Sequence, residues 1–332
     1  MDKFLTWIEN ATERSLTKRK AKRAYNKAKK RTFLSETLEW IDALVFGVFW
    51  VIIFNQFLFQ LFLIPSPSMV DTLLIGDRVV VFKDQYGVEV YPAGPKLSEE
   101  NRRVQRDDII TFYNPEYISK GPVFDILSQA IYMGTLSLVN IDKNEDGTPA
   151  ERLYVKRAAG LSGDNIYFNN GNVYIKAAGT GEWVDENTFR EENLLSSGPN
   201  RSVDQSLYPG LKAYARITAF NEEGISVSSE LIDDFKKIQD SDYSYIFDYY
   251  EYSREYQSAK AAIAPDSLSV RSALAVYRTG IYVPEGYVLP LGDNRDNSQD
   301  GRYFGPVPET KINGRVVARF WPLGRIGVFS EG

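Results

Sequence analysis

Two serines stand two residues apart, each preceded by a proline, in IPSPSMVDTL at residues 64–73. A serine hydroxyl becomes a nucleophile only when a base takes its proton. The chain contains no histidine and no cysteine. A Ser-His-Asp triad, a thiolate nucleophile, histidine or cysteine metal sites and disulfides are therefore excluded. Lysine is the leading remaining base, provided that burial lowers its pKa toward working pH. Lys156, in RLYVKRAAG, has an apolar strand setting. On a strand, Tyr154, Lys156 and Ala158 share one face, with Val155 and Arg157 on the other. A third stretch, GDNRDNSQDGRYFGPVP at 292–308, gathers Asp293, Arg295, Ser298, Asp300 and Arg302 beside a strand end. A self-bonded turn there could pair Asp300 with Arg302 and let Ser298 orient a neutral lysine. Taken singly, each stretch has a plainer alternative: a Ser/Pro linker, a solvated strand edge and a polar Asx-bonded turn.

These groups need elements to position them. No residue from Ala43 to Val70 is charged, and the segment begins ALVFGVFWVIIFNQFLFQLFLIP. A membrane helix needs about 20 mainly apolar residues, and a span is expected over 39–61 despite Asn55, Gln56 and Gln60. The run starts late for a cleavable signal peptide, and no small-x-small cleavage site follows it. Residues 14–31 hold ten Lys/Arg and no acid, although the whole chain of 332 residues carries a net charge of −5. Nucleic-acid binding is one reading of such a run. Beside an apolar span it instead places the N-terminus in the cytoplasm and attracts anionic lipid. Residues 1–38 are then a basic cytoplasmic segment, and 62–332 an extracytoplasmic domain. Pro65 and Pro67 end the helix and favour extended conformations at Ile64 and Ser66, which aims the Ser68 hydroxyl.

Beyond Ser68, short alternating segments separated by Gly, Pro and Asn turns predict a mainly β domain. LLIGDRVVVFKDQYG, DDIITFYNP, RLYVKRAAG, NIYFNNGNVYIK with its Asn-Gly hairpin signal, GYVLPLGDNRDNS and GRVVARFWPLGRIGVF are the expected strands. Two inserts interrupt them. Near 118–150 an apolar piece reads as an edge helix or hairpin touching the membrane, or as a plain buried element. Its DKNEDG lacks the spaced ligands of a calcium loop. Near 180–280 the chain is partly helical in character. Six tyrosines at 243–256 there suit carbohydrate or peptide binding, or the packing of a subdomain.

Together these motifs resemble the bacterial type I signal peptidases, or leader peptidases, which are membrane-anchored Ser-Lys proteases. IPSPSMVDTL resembles the nucleophile box, GDRVVVFKDQYG the strand after it and RDDIITF the next box. YVKRAAGLSGD resembles the lysine box, GDNRDNSQDGRYFG the most specific motif and GRVVARFWP the closing strand. The resemblance implies a signal-peptidase-like β catalytic domain with an inserted subdomain behind a transmembrane helix. It implies removal of signal peptides from exported preproteins, near the secretion translocon, without metal or cofactor. Ser68 falls on the nucleophile, Lys156 on the general base and Ser66 on an oxyanion-hole hydroxyl. Ser298 falls on the lysine-orienting hydroxyl and Asp300 on a structural acid, with Arg302, Asp293 and Arg295 as further support. Ile64, Met69, Leu73, Tyr154 and Val155 fall on shallow pockets for small residues at positions −1 and −3. The chain departs from the family pattern at Pro67 (often Gly), Asp71 (usually Pro), Asp107 (usually Gly) and Gly301 (usually Ser). Another membrane-tethered Ser-Lys processing protease, or an inactive binding or scaffold relative, is the alternative.

Overall fold

A computed structural model describes residues 13–22, 33–83, 86–91, 94–96, 103–135, 138–195, 203–239 and 248–329. Residues 23–31 of the basic run, and Tyr243 and Tyr245, lie outside them. The chain divides into two compact units, Met1–Val51 and Ile52–Gly332. Residues 13–22 form helix α1, and Phe33–Phe57 forms α2. Within α2, Glu36–Phe57 is long and apolar enough to cross a membrane, with a mean hydropathy of 1.9 and none of its most apolar stretch buried. At 1.5 Å per residue its length is about 33 Å, close to the thickness of a bilayer's hydrocarbon core.

The expected span of 39–61 differs from this helix at both ends. Helix α2 stops at Phe57, and Phe59–Leu63 forms strand β1. The prolines do not end the helix. Asn55 and Gln56 lie at its C-terminal end, where the Asn55 side chain accepts from Leu61 N–H at 3.1 Å and Gln56 donates to Glu89 O at 2.9 Å. Such side-chain bonds offer the backbone an alternative to the next helical turn. FQLFL then alternates, burying Gln60 and Phe62, as a half-buried strand should.

The remaining strands follow at Arg78–Phe82 (β2), Ile109–Tyr113 (β3) and Leu153–Gly160 (β4). Next come Asn165–Asn169 (β5), Asn172–Lys176 (β6) and Val184–Asp185 (β7). Ile281–Tyr282 (β8), Tyr287–Leu291 (β9), Val307–Pro308 (β10), Ile312–Trp321 (β11) and Gly327–Val328 (β12) complete them. A curled antiparallel sheet runs β1-β2-β11-β3-β4-β9-β10, with β12 beside β11. A second sheet runs β7-β6-β5-β8. Its Asn170-Gly171 turn has both residues at positive φ, +48° and +71°, the conformation that Asn-Gly hairpins favour. The fold is thus sheet-rich with an apolar N-terminal helix, as the sequence predicts.

The inserts are helical. Pro122–Gly134 (α3) leaves Val123, Ile126, Leu127 and Ile131 exposed. The insert is tied down by Arg152, which donates to Asp142 at 2.7 Å and Ser128 at 2.8 Å. The larger insert holds Glu186–Glu192 (α4), Tyr208–Glu222 (α5), Ser229–Gln239 (α6), Tyr249–Ile263 (α7) and Leu268–Thr279 (α8). Among its described tyrosines Tyr250 and Tyr252 pack, while Tyr249 is exposed. The Tyr250 ring is edge-on to Phe168 and Tyr277, each at 5.1 Å, and Tyr252 meets Tyr214 at 5.2 Å. A short helix, Gly301–Phe304 (α9), closes the polar motif.

Candidate active site

Ser66 is extended (φ −127°, ψ 159°), and Pro67–Met69 forms one 3-10 turn. The extended approach expected from the prolines holds at Ser66, while Ser68 itself sits in the turn. Pro67 takes the first turn position, where a missing N–H costs nothing. The first N–H groups of such a turn have no partner within it, so the Ser68 N–H is available to an incoming oxygen. The two serine hydroxyls lie 3.3 Å apart.

Strand β4 sits between β3 and β9 and is buried along its whole length. Lys156 is only 3% exposed and Ser68 7%. Lys156 Nζ lies 2.7 Å from Ser68 Oγ and also donates to Val155 O at 3.2 Å. Burial pushes the lysine pKa down to about 8; the negative charges of Asp300, Glu151 and Asp293 hold it up against that. About a tenth of the amine is then free at pH 7, far more than for an ordinary lysine.

The 292–300 loop seats the Ser68 turn. Asn294 N–H donates to Ser68 O at 3.0 Å, and the Asn294 side chain to Pro67 O at 3.2 Å. A Cβ at Gly292 would lie 2.6 Å from Ser68 O and inside the Ser298 side chain, so only glycine allows this approach. Asp300 accepts from Gly292 N–H at 2.9 Å and pairs with Arg302 at 2.9 and 3.0 Å. Burial pushes the Asp300 pKa up, but Arg302 outweighs it and holds the carboxyl below its usual range. The Asp300–Arg302 pair is as expected. The Ser298–Lys156 bond is not there: Ser298 Oγ is buried without a hydrogen-bond partner among the described residues. The lysine reaches Ser68 and Val155 O instead.

Met69, Leu73, Ile64 and Val155 pack in one buried cluster, while Tyr154 belongs to another on the opposite face of β4. Ile64, Met69, Tyr154 and Val155 line a cleft at the dyad of about 20 Å³, together with Phe62, Pro65, Ser66, Glu151 and Leu153. Leu73 lies beneath it, fully buried. That volume is near the minimum for one water.

A buried ionic network surrounds these groups, and most of it is missing from the candidate residues. Arg157 forks onto Asp293 at 2.7 and 2.6 Å, and Thr72 donates to Asp293 at 2.5 Å. Arg157 also pairs with Asp107 at 3.0 Å, and Arg190 meets the same carboxylate at 2.6 Å. Arg295 donates to Glu186 at 2.5 and 3.3 Å and to Gly292 O. Glu186 and Arg190 both come from α4, whose sequence carries no motif. Asp107 is the one signal available in advance, as a departure from a glycine turn.

The model of the signal peptidase, peptidase S26, family matches residues 37–321. The chain belongs to this family. Signal peptidase I of Haemophilus influenzae is 25% identical over 306 residues, which is 88% of this chain and 74% of that protein. Signal peptidase I of Buchnera aphidicola is 25% identical over 309 residues, 89% of this chain and 77% of its own. Mitochondrial inner membrane protease subunit 1 of Xenopus tropicalis is 44% identical over 66 residues, 20% of this chain and 40% of its own.

The departures of this signal peptidase from the family pattern have local explanations. Asp107 sits at φ +76°, in the left-handed region that glycine enters freely and Asp tolerates. Its two guanidinium partners hold it there. A Cβ at Gly301 would lie 2.8 Å from Pro290 O, so a serine would have to displace the β9 backbone. Asp71 is exposed, which explains how a charge is tolerated next to the nucleophile turn.

Proposed function

We propose that this protein is a membrane-anchored serine endopeptidase that removes N-terminal signal peptides from exported preproteins, with Ser68 as nucleophile and Lys156 as general base. The observation that carries the reading is the 2.7 Å approach of a buried, pKa-lowered amine to a serine hydroxyl. Lys156 takes the Ser68 proton as Ser68 Oγ attacks the carbonyl of the last signal-peptide residue. The Ser66 hydroxyl and the Ser68 N–H stabilise the oxyanion, charge that exists only beyond the ground state. The lysine then protonates the leaving amine. It next deprotonates the water that hydrolyses the acyl-enzyme. Asn294 holds the loop against the Ser68 turn, and the Asp300–Arg302 pair braces the loop behind it.

The substrate lies as an extended strand. Among the described residues β1 pairs with β2, and β4 pairs with β9 from Arg157 onward. Phe62 of β1 and Leu153, Tyr154, Val155 and Lys156 of β4 line the cleft. Its small volume suits short side chains at −1 and −3, over the floor of Ile64, Met69, Tyr154 and Val155 with Leu73 below. The basic run before α2 supports a cytoplasmic N-terminus, a catalytic unit on the outer face and attraction to anionic lipid. A preprotein emerging from the translocon would meet the site there.

Ser68→Ala and Lys156→Ala, purified in detergent, are each expected to abolish cleavage of a model preprotein. Normal turnover by either variant overturns the assignment.

A further inference from the structure

Helix α4 belongs to the larger insert, yet it sends two charged side chains beneath the Ser68–Lys156 pair. Glu186 and Arg190 are both buried. Four residues apart, they stand on one face of the helix, 3.9 Å from each other. Buried charges persist where they are paired and hydrogen-bonded. Each of these two has its closer partner in a different part of the site. Arg190 meets Asp107, and Asp107 meets Arg157, the residue after the lysine. Glu186 takes Arg295 with both oxygens, at 2.5 and 3.3 Å.

Arg295, itself buried, carries that grip to the Ser68 turn. Its guanidinium also donates to Gly292 O, and Gly292 lies directly against Ser68 O. The N–H of the adjoining Asn294 donates to the same Ser68 oxygen. A shift of Arg295 is therefore a shift of the serine's seat. Glu186 also decides where the Arg295 charge is spent. The other carboxylate of this loop segment is Asp293, and its two oxygens are already taken by the Arg157 fork and Thr72. Without Glu186, Arg295 would compete for Asp293 with Arg157, one residue from Lys156.

We propose that Glu186 is a positioning residue for peptide cleavage: through Arg295 it fixes the loop that seats Ser68 and leaves Asp293 to Arg157, so that the insert sets the geometry of the dyad. The proposal rests on the reading of Ser68 as nucleophile and Lys156 as base.

The test is a double-variant cycle read in kcat and KM on one model preprotein, well below the Tm of each variant and with the folded fraction taken from near-UV circular dichroism. Glu186→Gln keeps the shape of the side chain and removes its charge. Neither Glu186 nor Arg295 lines the cleft. The expected result is a kcat lowered about tenfold with KM within about twofold of wild type, since a small misplacement of reacting groups costs rate more than binding. Glu186→Asp, which keeps the charge but is one methylene shorter, should fall between Glu186→Gln and wild type. Arg295→Met should lose at least as much kcat as Glu186→Gln, and the double variant no more than Arg295→Met, because the two side chains act as one unit. A full kcat in folded Glu186→Gln, a loss carried by KM, or losses that multiply in the double variant overturn the proposal and leave the protease reading standing. Where Glu186→Gln or Arg295→Met does not fold, Glu186→Asp decides: a lowered kcat at unchanged KM supports the proposal, and a wild-type kcat overturns it. Normal turnover by Ser68→Ala, run beside them, overturns the protease reading and the proposal together.

Discussion

At the scale of single residues, the proposed reaction depends on one amine that can give up its charge. As the proposed base, Lys156 must be free to accept a proton, and burial brings its pKa to about 8. Activity should therefore rise with pH through about 8 and then level off. Below that limb, kcat/KM should fall about tenfold per pH unit, because the fraction of free base falls by that factor. Glu151 is exposed, and its negative charge stabilises the ammonium. Glu151→Gln should move the limb to lower pH, and a limb unmoved in a pH–rate series would contradict this. Elimination leaves lysine as the leading base in a chain without histidine or cysteine, but it is the resemblance to the family's serine and lysine boxes that singles out Ser68 and Lys156 as candidates. The orienting partner is not legible in that way. The sequence gives Ser298 a hydroxyl but not its distance from the amine, and here the lysine bonds to Ser68 and Val155 O instead.

At the scale of elements, the strands of the curled sheet are legible because each alternates or carries β-branched runs between turn residues. Helix α2 is legible as an apolar run but not in its end. Asn55 and Gln56 look like interruptions of a span, whereas their side chains serve the backbone beyond it. Helix α4 has no sequence signal as a support of the site, because its role is made by tertiary ion pairs. Arg190 is one of the two guanidiniums on Asp107, and removing one partner of a buried pair leaves a charge poorly compensated. Arg190→Met should cost about 3 kcal/mol in urea unfolding. Adding Asp107→Gly should recover much of that loss, since it removes both the orphaned carboxylate and the left-handed strain. Additive losses in the double-mutant cycle would show that the two side chains do not act together.

For the molecule as a whole, strand order matters more than strand content. The strand β11, which comes after every catalytic motif in the chain, lies between β2 and β3, in the middle of the large sheet. The nucleophile turn follows β1, the lysine stands on β4, and the loop that seats them begins at Gly292. A chain ending at Lys311 contains every one of those groups yet has a gap where β11 belongs. In a cell-free translation assay such a chain should process no preprotein, while the full-length chain does; processing by the truncated chain would contradict this. The same strand order sets a time at which hydrolysis can begin. In a chain that still lacks β11, the half of the large sheet that leads to Ser68 and the half that carries Lys156 have no strand to join them.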